Sequence, residues 1–405
     1  MTKKITLKNG VRLIYQHIDH VRSVSAGIWV DCGSKNETPE NNGISHLIEH
    51  MMFKGSDART PAQLAHDMDM LGAMMNAFTS KESTCYHVKC LDSDLYSALD
   101  ILCEMFLHPK MDEAALEQEK RVVIEEIGMY IDTPEDVATE ELTINAFAPH
   151  PCSLPILGTV ETVSGISRED ILAYMEKYYI AENIIISVAG SFDENELTSY
   201  IENMFGCVKS GTRDLPPSEI AFSGGECFFE RDIAQNHLCI GWESVGRKDP
   251  RSYALSVMSL ILGDGMSSRL YQKLREQSGL CYSVYSFNMP IHTTGMFVIG
   301  AAYSPESHGE IMRQIDEVVA EFSENGATND EFIRAKKQII TSVIMSFESS
   351  SSRMPYIARG ELIFGRVRTM DELIALIEGI TLEDVNRLAR EIFSRDRRIC
   401  IVGPK

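Results

Sequence analysis

Ile184-Ile185-Ile186-Ser187-Val188-Ala189-Gly190 is the stretch on which the fold turns, because Ile399-Cys400-Ile401-Val402-Gly403 repeats it near the other end of the chain. A short apolar run rich in β-branched residues and closed by glycine reads as a buried strand. Upstream of the first run stand Ile166 and Glu169-Asp170; upstream of the second stand Ile380 and Glu383-Asp384, offset by 214. The only two tryptophans, Trp29 and Trp242, lie 213 apart, and each is followed four residues later by glycine, Gly33 and Gly246. Two copies of one unit of about 200 residues is the economical reading, and each copy is an ordinary domain size.

Each copy alternates strands rich in Val, Ile and Tyr with long helices. That pattern predicts an α+β chain of two homologous α/β-sandwich domains, each a mostly antiparallel sheet with helices packed on one face. Residues 210–225, Ser-Gly-Thr-Arg-Asp-Leu-Pro-Pro-Ser-Glu-Ile-Ala-Phe-Ser-Gly-Gly, have linker composition. The expected division is therefore 1–209, a linker at 210–225, and 226–405.

Working outward, His46-Leu47-Ile48-Glu49-His50 carries the chemistry. Residues four apart on a helix sit one above the other, so both imidazoles can reach one metal ion with the carboxylate close by. The order is the inverted form, His-x-x-Glu-His, of a zinc-peptidase motif. Two His and a Glu at set positions arise by chance about once in tens of thousands of windows. Alone, the pentapeptide also fits an amphipathic helix with two surface histidines. A third ligand is sought in the helix-forming run 113–130, where Glu119 and Glu126 are seven apart and share a face. Glu125 points about 100° away. The competing reading of that run is a solvated acidic helix.

Applying the 213 offset sets Ser259, Leu262 and Gly263 opposite His46, Glu49 and His50, so one metal per chain is expected.

These residues resemble the pitrilysin and mitochondrial-processing-peptidase family of inverzincin metallopeptidases, in particular its short bacterial members. The family's glutamate ligand follows the motif at the spacing of Glu126 from His50, with an acidic residue at the place of Glu119. Gly43-Ile44-Ser45 and Met52-Phe53-Lys54-Gly55 resemble the family's surroundings of the zinc helix. Gly72 to Thr79, with Glu82 and Tyr86 downstream, resembles the strand that pairs with substrate backbone, which makes Asn76, Ala77 and Phe78 substrate-binding residues. Gly263 to Leu270, and Leu274-Arg275 through Tyr282, resemble the C-terminal signature, whose Arg and Tyr hold the substrate carbonyl or oxyanion. Taken without the family, Asn76-Ala77 is a turn entering a plain strand, Arg275 a surface ion-pair residue and Tyr282 a half-buried aromatic.

The resemblance implies one Zn²⁺ held by His46, His50 and Glu126, with Glu49 as general base, Glu119 orienting a histidine ligand, and Arg275 and Tyr282 completing the site. The implied activity is hydrolysis of peptide bonds in peptides or unfolded segments. The alternative is a non-catalytic assembly or regulatory subunit of the same family. Members enclose substrate with four such domains; this chain supplies two, which implies a homodimer or a heterodimer with an inactive paralogue.

Charge is uneven. The chain has 38 Lys+Arg against 59 Asp+Glu, and residues 1–209 carry a net of -17 against -4 for the remainder. That balance argues against nucleic acid and favours basic peptides as substrates, although acidity also serves solubility alone. The ten cysteines show no CxxC, and Cys103, Cys239 and Cys400 sit in apolar runs, as reduced core cysteines do. Cys85 and Cys281 lie beside proposed substrate segments, but no motif supplies a base for them. The chain opens directly into a strand with no apolar leader or membrane-length run, so a cytoplasmic protein without a membrane part is expected.

Overall fold

The computed structural model describes residues 2–215, 219–291 and 293–404. Its strands are β1 (Lys3–Thr6), β2 (Arg12–His17), β3 (Ser23–Val30), β4 (Met74–Thr79), β5 (Thr84–Leu91), β6 (Ile184–Gly190), β7 (Gly225–Glu230), β8 (Asn236–Val245), β9 (Cys281–Ile291), β10 (Thr294–Tyr303) and β11 (Arg397–Gly403). The helices are α1 (Ile44–Met52), α2 (Pro61–Met70), α3 (Leu95–Leu107), α4 (Glu113–Ile131), α5 (Pro134–Phe147), α6 (Val160–Gly165), α7 (Arg168–Tyr178), α8 (Glu194–Phe205), α9 (Ser252–Leu262), α10 (His308–Asn325), α11 (Asn329–Ser346), α12 (Ser350–Phe364), α13 (Met370–Glu378) and α14 (Leu382–Phe393).

The strands form two sheets, in the orders β1-β2-β6-β3-β5-β4 and β7-β11-β8-β10-β9. In the first, β3 runs antiparallel to β6 and β5, and β2–β6 is the parallel pair. In the second, β8 runs antiparallel to β11 and β10, and β7–β11 is the parallel pair. The second sheet repeats five strands of the first, β1 having no counterpart. Strand β8 takes the place of β3, but Trp29 lies on the face that α12 covers and Trp242 on the main-core face, so the two tryptophans are not equivalent residues. The α+β architecture of two repeats, each on a mostly antiparallel sheet, is thus present.

The two compact units are not contiguous in sequence. One comprises residues 1–127, 154–216 and 345–369, and the other 128–153, 217–344 and 370–405. A division at the linker places 128–153 and 345–369 differently, and these segments carry α5 and α12. Within the first unit α12 packs on β6, β3 and β2. Met354, Ile357 and Ala358 there meet Ile14, Trp29, Cys85 and Ile185 in a core separate from the main one. Within the second unit α5 packs on β11 and β8, placing Leu142 and Ala146 against Cys239, Cys400 and Val402. Helices therefore cover the second face of each sheet as well as the first. The reason lies in the strands: β6 is buried at every residue and β3 at all but its first, which requires apolar cover on both sides.

Close approach of those two helices is bought by matching glycines. A Cβ on Gly27 of β3 would lie 2.8 Å from Met354 Sδ, and one on Gly241 of β8 would lie 3.1 Å from Leu142 Cδ2. Glu361 of α12, buried, is held by Lys4 at 2.6 Å and Arg12 at 3.4 Å. Of the stretch expected as linker, residues 216–218 lie outside the described residues; the rest has no regular structure until β7 begins at Gly225. No helix among the described residues is long and apolar enough to cross a membrane.

Candidate metal centre

Helix α1 buries Leu47, Ile48, Met51 and Met52 in the main core of the first unit. That fixes its rotation and turns His46, Glu49 and His50 to the opposite side. Its N-cap, Gly43, has φ +93°, and a Cβ there would sit 2.7 Å from the Leu157 carbonyl, so glycine is required on both counts. Helix α4 buries Leu116, Glu119, Val123 and Ile127, spaced three and four apart, which carries Glu126 along the same stripe and leaves Glu125 exposed.

The result is a cluster in which one donor atom from each of His46, His50 and Glu126 lies within 4.8 Å of the others. Glu126 Oε2 is 3.7 Å from His46 Nε2 and 3.4 Å from His50 Nε2. His50 Nδ1–H donates to Glu119 Oε2 at 3.2 Å, since a carboxylate can only accept. In the tautomer with that proton on Nδ1, the Nε2 of His50 presents its lone pair to Glu126 Oε2, a buried oxygen with no hydrogen-bond partner among the described residues. Burial and the neighbouring His50 hold His46 down at about 4, so its imidazole is neutral at physiological pH and also offers a lone pair. Three lone-pair atoms facing one another are satisfied by a cation, and two imidazoles with one carboxylate are a set that suits catalytic zinc.

Around this set, Glu119 is 2% exposed and its second oxygen takes an ion pair from Lys54 at 2.7 Å. Glu119 thus holds His50 in orientation while Lys54 balances its charge. His46 Nδ1 has no such partner.

Glu49 accepts a hydrogen bond from the Thr79 hydroxyl at the end of β4. Burial pushes its carboxyl above the ordinary value, with Thr79 and His50 pulling it back. Among the described strands β4 pairs only with β5, so its other edge is open. Asn76 is exposed; its side-chain oxygen accepts from Ala77 N–H at 2.8 Å. Phe78 packs edge-on against Trp29, at 5.4 Å between ring centroids. An open edge strand joined to Glu49 through Thr79 can take up an extended chain beside the cluster. Thr79 and Lys54 stand in segments noted for their resemblance, yet spacing alone assigns them no role.

Arg275 and Tyr282 belong to the second unit. The guanidinium lies over the Tyr282 ring at 5.3 Å and over Tyr271 at 4.8 Å, and Tyr282 is 77% exposed. Its strand, β9, is the open edge of the second sheet as β4 is of the first. Ser259, which the 213 offset sets opposite His46, bonds Ser286 Oγ at 3.2 Å; the triad above is the one metal-type cluster among the described residues. Neither suspect thiol is activated: burial raises Cys85 well above the ordinary range and lifts Cys281 to about 11.

Comparison with known proteins agrees with this geometry. Residues 12–160 match the family described as insulinase, peptidase family M16, and residues 165–339 match the peptidase M16 inactive domain. The uncharacterized zinc protease YmxG of Bacillus subtilis is 37% identical, covering 100% of this chain and 98% of its own. An uncharacterized zinc protease of Mycobacterium leprae is 34% identical, covering 99% and 91%. Two solved structures share the fold at a TM-score of 0.93: a protease from Helicobacter pylori, 21% identical, covers 100% of this chain and 99% of its own. The other, a peptidase M16 inactive domain from Pseudomonas fluorescens, is 20% identical and covers 100% and 98%. With its metal-type triad in the first repeat and relatives named zinc proteases along its whole length, the chain belongs to peptidase family M16, the pitrilysin family.

Proposed function

We propose that the protein is a zinc-dependent endopeptidase that hydrolyses extended peptides, basic ones above others. The observation that carries this is the convergence of three lone-pair ligand atoms beside a half-buried carboxylate that is itself bonded to an open edge strand. His46, His50 and Glu126 would hold the ion; zinc so held supplies Lewis acidity, which polarises a carbonyl and lowers the pKa of water towards about 7. Glu49 is the proton carrier. Thr79 occupies its Oε2, which leaves Oε1 to take the proton of the attacking water and hand it to the departing amine nitrogen. Glu119, balanced by Lys54, keeps His50 with its lone pair outward. The edge of β4 at Asn76, Ala77 and Phe78 binds substrate backbone by strand addition, a mode that tolerates many sequences.

Arg275 and Tyr282 serve as donors to a substrate oxygen, a role supported by their adjacency and by the exposure of Tyr282. The preference for basic peptides is supported by the net charge of -17 on residues 1–209. The two repeats of this chain form half of a four-domain enclosure, and the working form is a homodimer.

The test is hydrolysis of a quenched basic peptide library by wild type and Glu49→Gln, with zinc measured on the same samples. We expect cleavage by wild type, a loss of about 10²-fold to 10⁴-fold in Glu49→Gln, and equal zinc in both. Metal-dependent turnover at the wild-type rate in Glu49→Gln would rule out Glu49 as the base.

A further inference from the structure

A helix of nine residues carries two of the three ligands, and its first turn is not capped by its own N-cap, because Gly43 has no side chain. The open N–H groups are taken instead by Glu37, six residues earlier. Its Oε2 accepts from Gly43 N–H and Asn42 Nδ2, each at 2.8 Å, and its Oε1 accepts from Ser45 N–H at 2.9 Å. Glu37 is 2% exposed, and Asn42 is tied in turn to the Pro155 carbonyl at 2.8 Å. We propose that Glu37 is a positioning residue for the metal centre, setting the seat of α1 and with it the direction of His46.

Two observations carry this beyond ordinary capping. The first is adjacency. Ser45, whose N–H is gripped, immediately precedes His46, so rotation of the first turn moves that imidazole directly. Glu37 holds the N–H groups on both sides of Ile44 with the two oxygens of one planar group, which fixes the azimuth of the turn as well as satisfying its donors.

The second is the contrast with the other repeat. Helix α9 occupies the place of α1 and bears no ligands. Among the described residues no side chain caps its first turn: of the backbone donors, the partly exposed Asp249 accepts only from the N–H of Arg251, the N-cap residue itself, at 2.8 Å. Where nothing must be aimed, the turn goes without a side-chain cap. A remote, buried carboxylate appears in the copy that bears the histidines, and burial of that charge carries a desolvation cost which an uncharged cap would avoid.

The inference rests on the metal reading above, and the experiment separates the two. Zinc affinity by chelator competition, the visible spectrum of the cobalt(II)-substituted protein, and apo-protein Tm would be compared for wild type, Glu37→Gln and Glu37→Asp. Gln sets an NH₂ against donors that now meet an oxygen. We expect zinc affinity to fall about tenfold or more in Glu37→Gln, with altered cobalt bands and kcat lowered more than KM. In Glu37→Asp, which keeps the charge and shortens the reach, we expect part of the affinity to return. Wild-type zinc affinity and cobalt bands in Glu37→Gln would overturn the proposal even if the apo Tm falls, since that is what a purely stabilising cap does. If Glu37→Gln does not fold, wild-type values in Glu37→Asp overturn it equally. A wild type that takes up neither zinc nor cobalt brings down the metal reading and this proposal together.

Discussion

Helices α1 and α9 are corresponding elements of two repeats, and they differ in the side chains that they carry. Both bury an apolar side against their own sheet. On the other side α1 presents His46, Glu49 and His50, whereas of the residues that the 213 offset sets opposite them Leu262 is buried in the core of the second unit, Ser259 is bonded to Ser286 and Gly263 is the C-cap of α9. A Cβ on Gly263 would lie 2.5 Å from Ser286 N, so strand β9 has closed over the place where a ligand would stand. The first repeat holds its side chains apart with two buried carboxylates, Glu119 and Glu37, and the partly exposed Glu126; the second is packed shut with a serine pair and a glycine. One fold thus serves either as a frame for a metal or as a filled core, according to a few positions on one helix.

That contrast can be tested by removing what distinguishes the first copy. Glu119→Gln keeps the shape but removes the charge between His50 and Lys54. We expect zinc affinity to fall about 10-fold to 100-fold, measured by chelator competition, and unchanged affinity would deny Glu119 its orienting role. A smaller effect is expected where the repeats agree. Gly27→Ala drives a methyl into Met354 and should cost about 1–3 kcal/mol. Gly241→Ala, with 3.1 Å of clearance in place of 2.8 Å, should cost less. Denaturant unfolding of the two variants checks the order; the reverse order would mean that α12 yields more readily than α5. The smallest change is expected from Ser259→Ala, which removes one buried hydroxyl contact at about 1 kcal/mol. Zinc content and peptide hydrolysis should stay at wild-type levels, and loss of either would show that the filled copy contributes to the site.

What could be read in advance divides along the same line. Spacings of four and seven are constants of any α-helix, so His46 with His50, and Glu119 with Glu126, were legible as same-face pairs, while the joining of the two pairs into one site came from the family resemblance. The doubling of the chain was legible from the two closing strands; the tryptophans, on opposite faces of their sheets, agree in spacing alone. Cover on the second sheet face departs from the expectation of helices on one face, although the run Ile184–Gly190, polar only at Ser187, carried a sign of it, since a strand covered on one side would alternate. Which helix provides that cover was not legible. Ser350–Phe364 opens with serines and has Pro355 inside it, so it is a poor helix by propensity and marks no target. Glu37 was hidden for a different reason, because its grip on Gly43 and Ser45 depends on the path of a loop, which side-chain periodicity does not encode. Thr79 was visible as a residue, but its link to Glu49 joins a strand to a helix and requires the tertiary fold.

The return of α12 to the first sheet has a consequence in time. Strand β6 ends at Gly190 and α12 begins at Ser350, so 159 residues must be made between them. At about 5–20 residues per second this takes roughly 8–32 s. Throughout that interval the nascent first sheet has Trp29 and Ile185 bare on one side, and a ribosome-bound chain of this length presents an apolar face to whatever holdase is at hand.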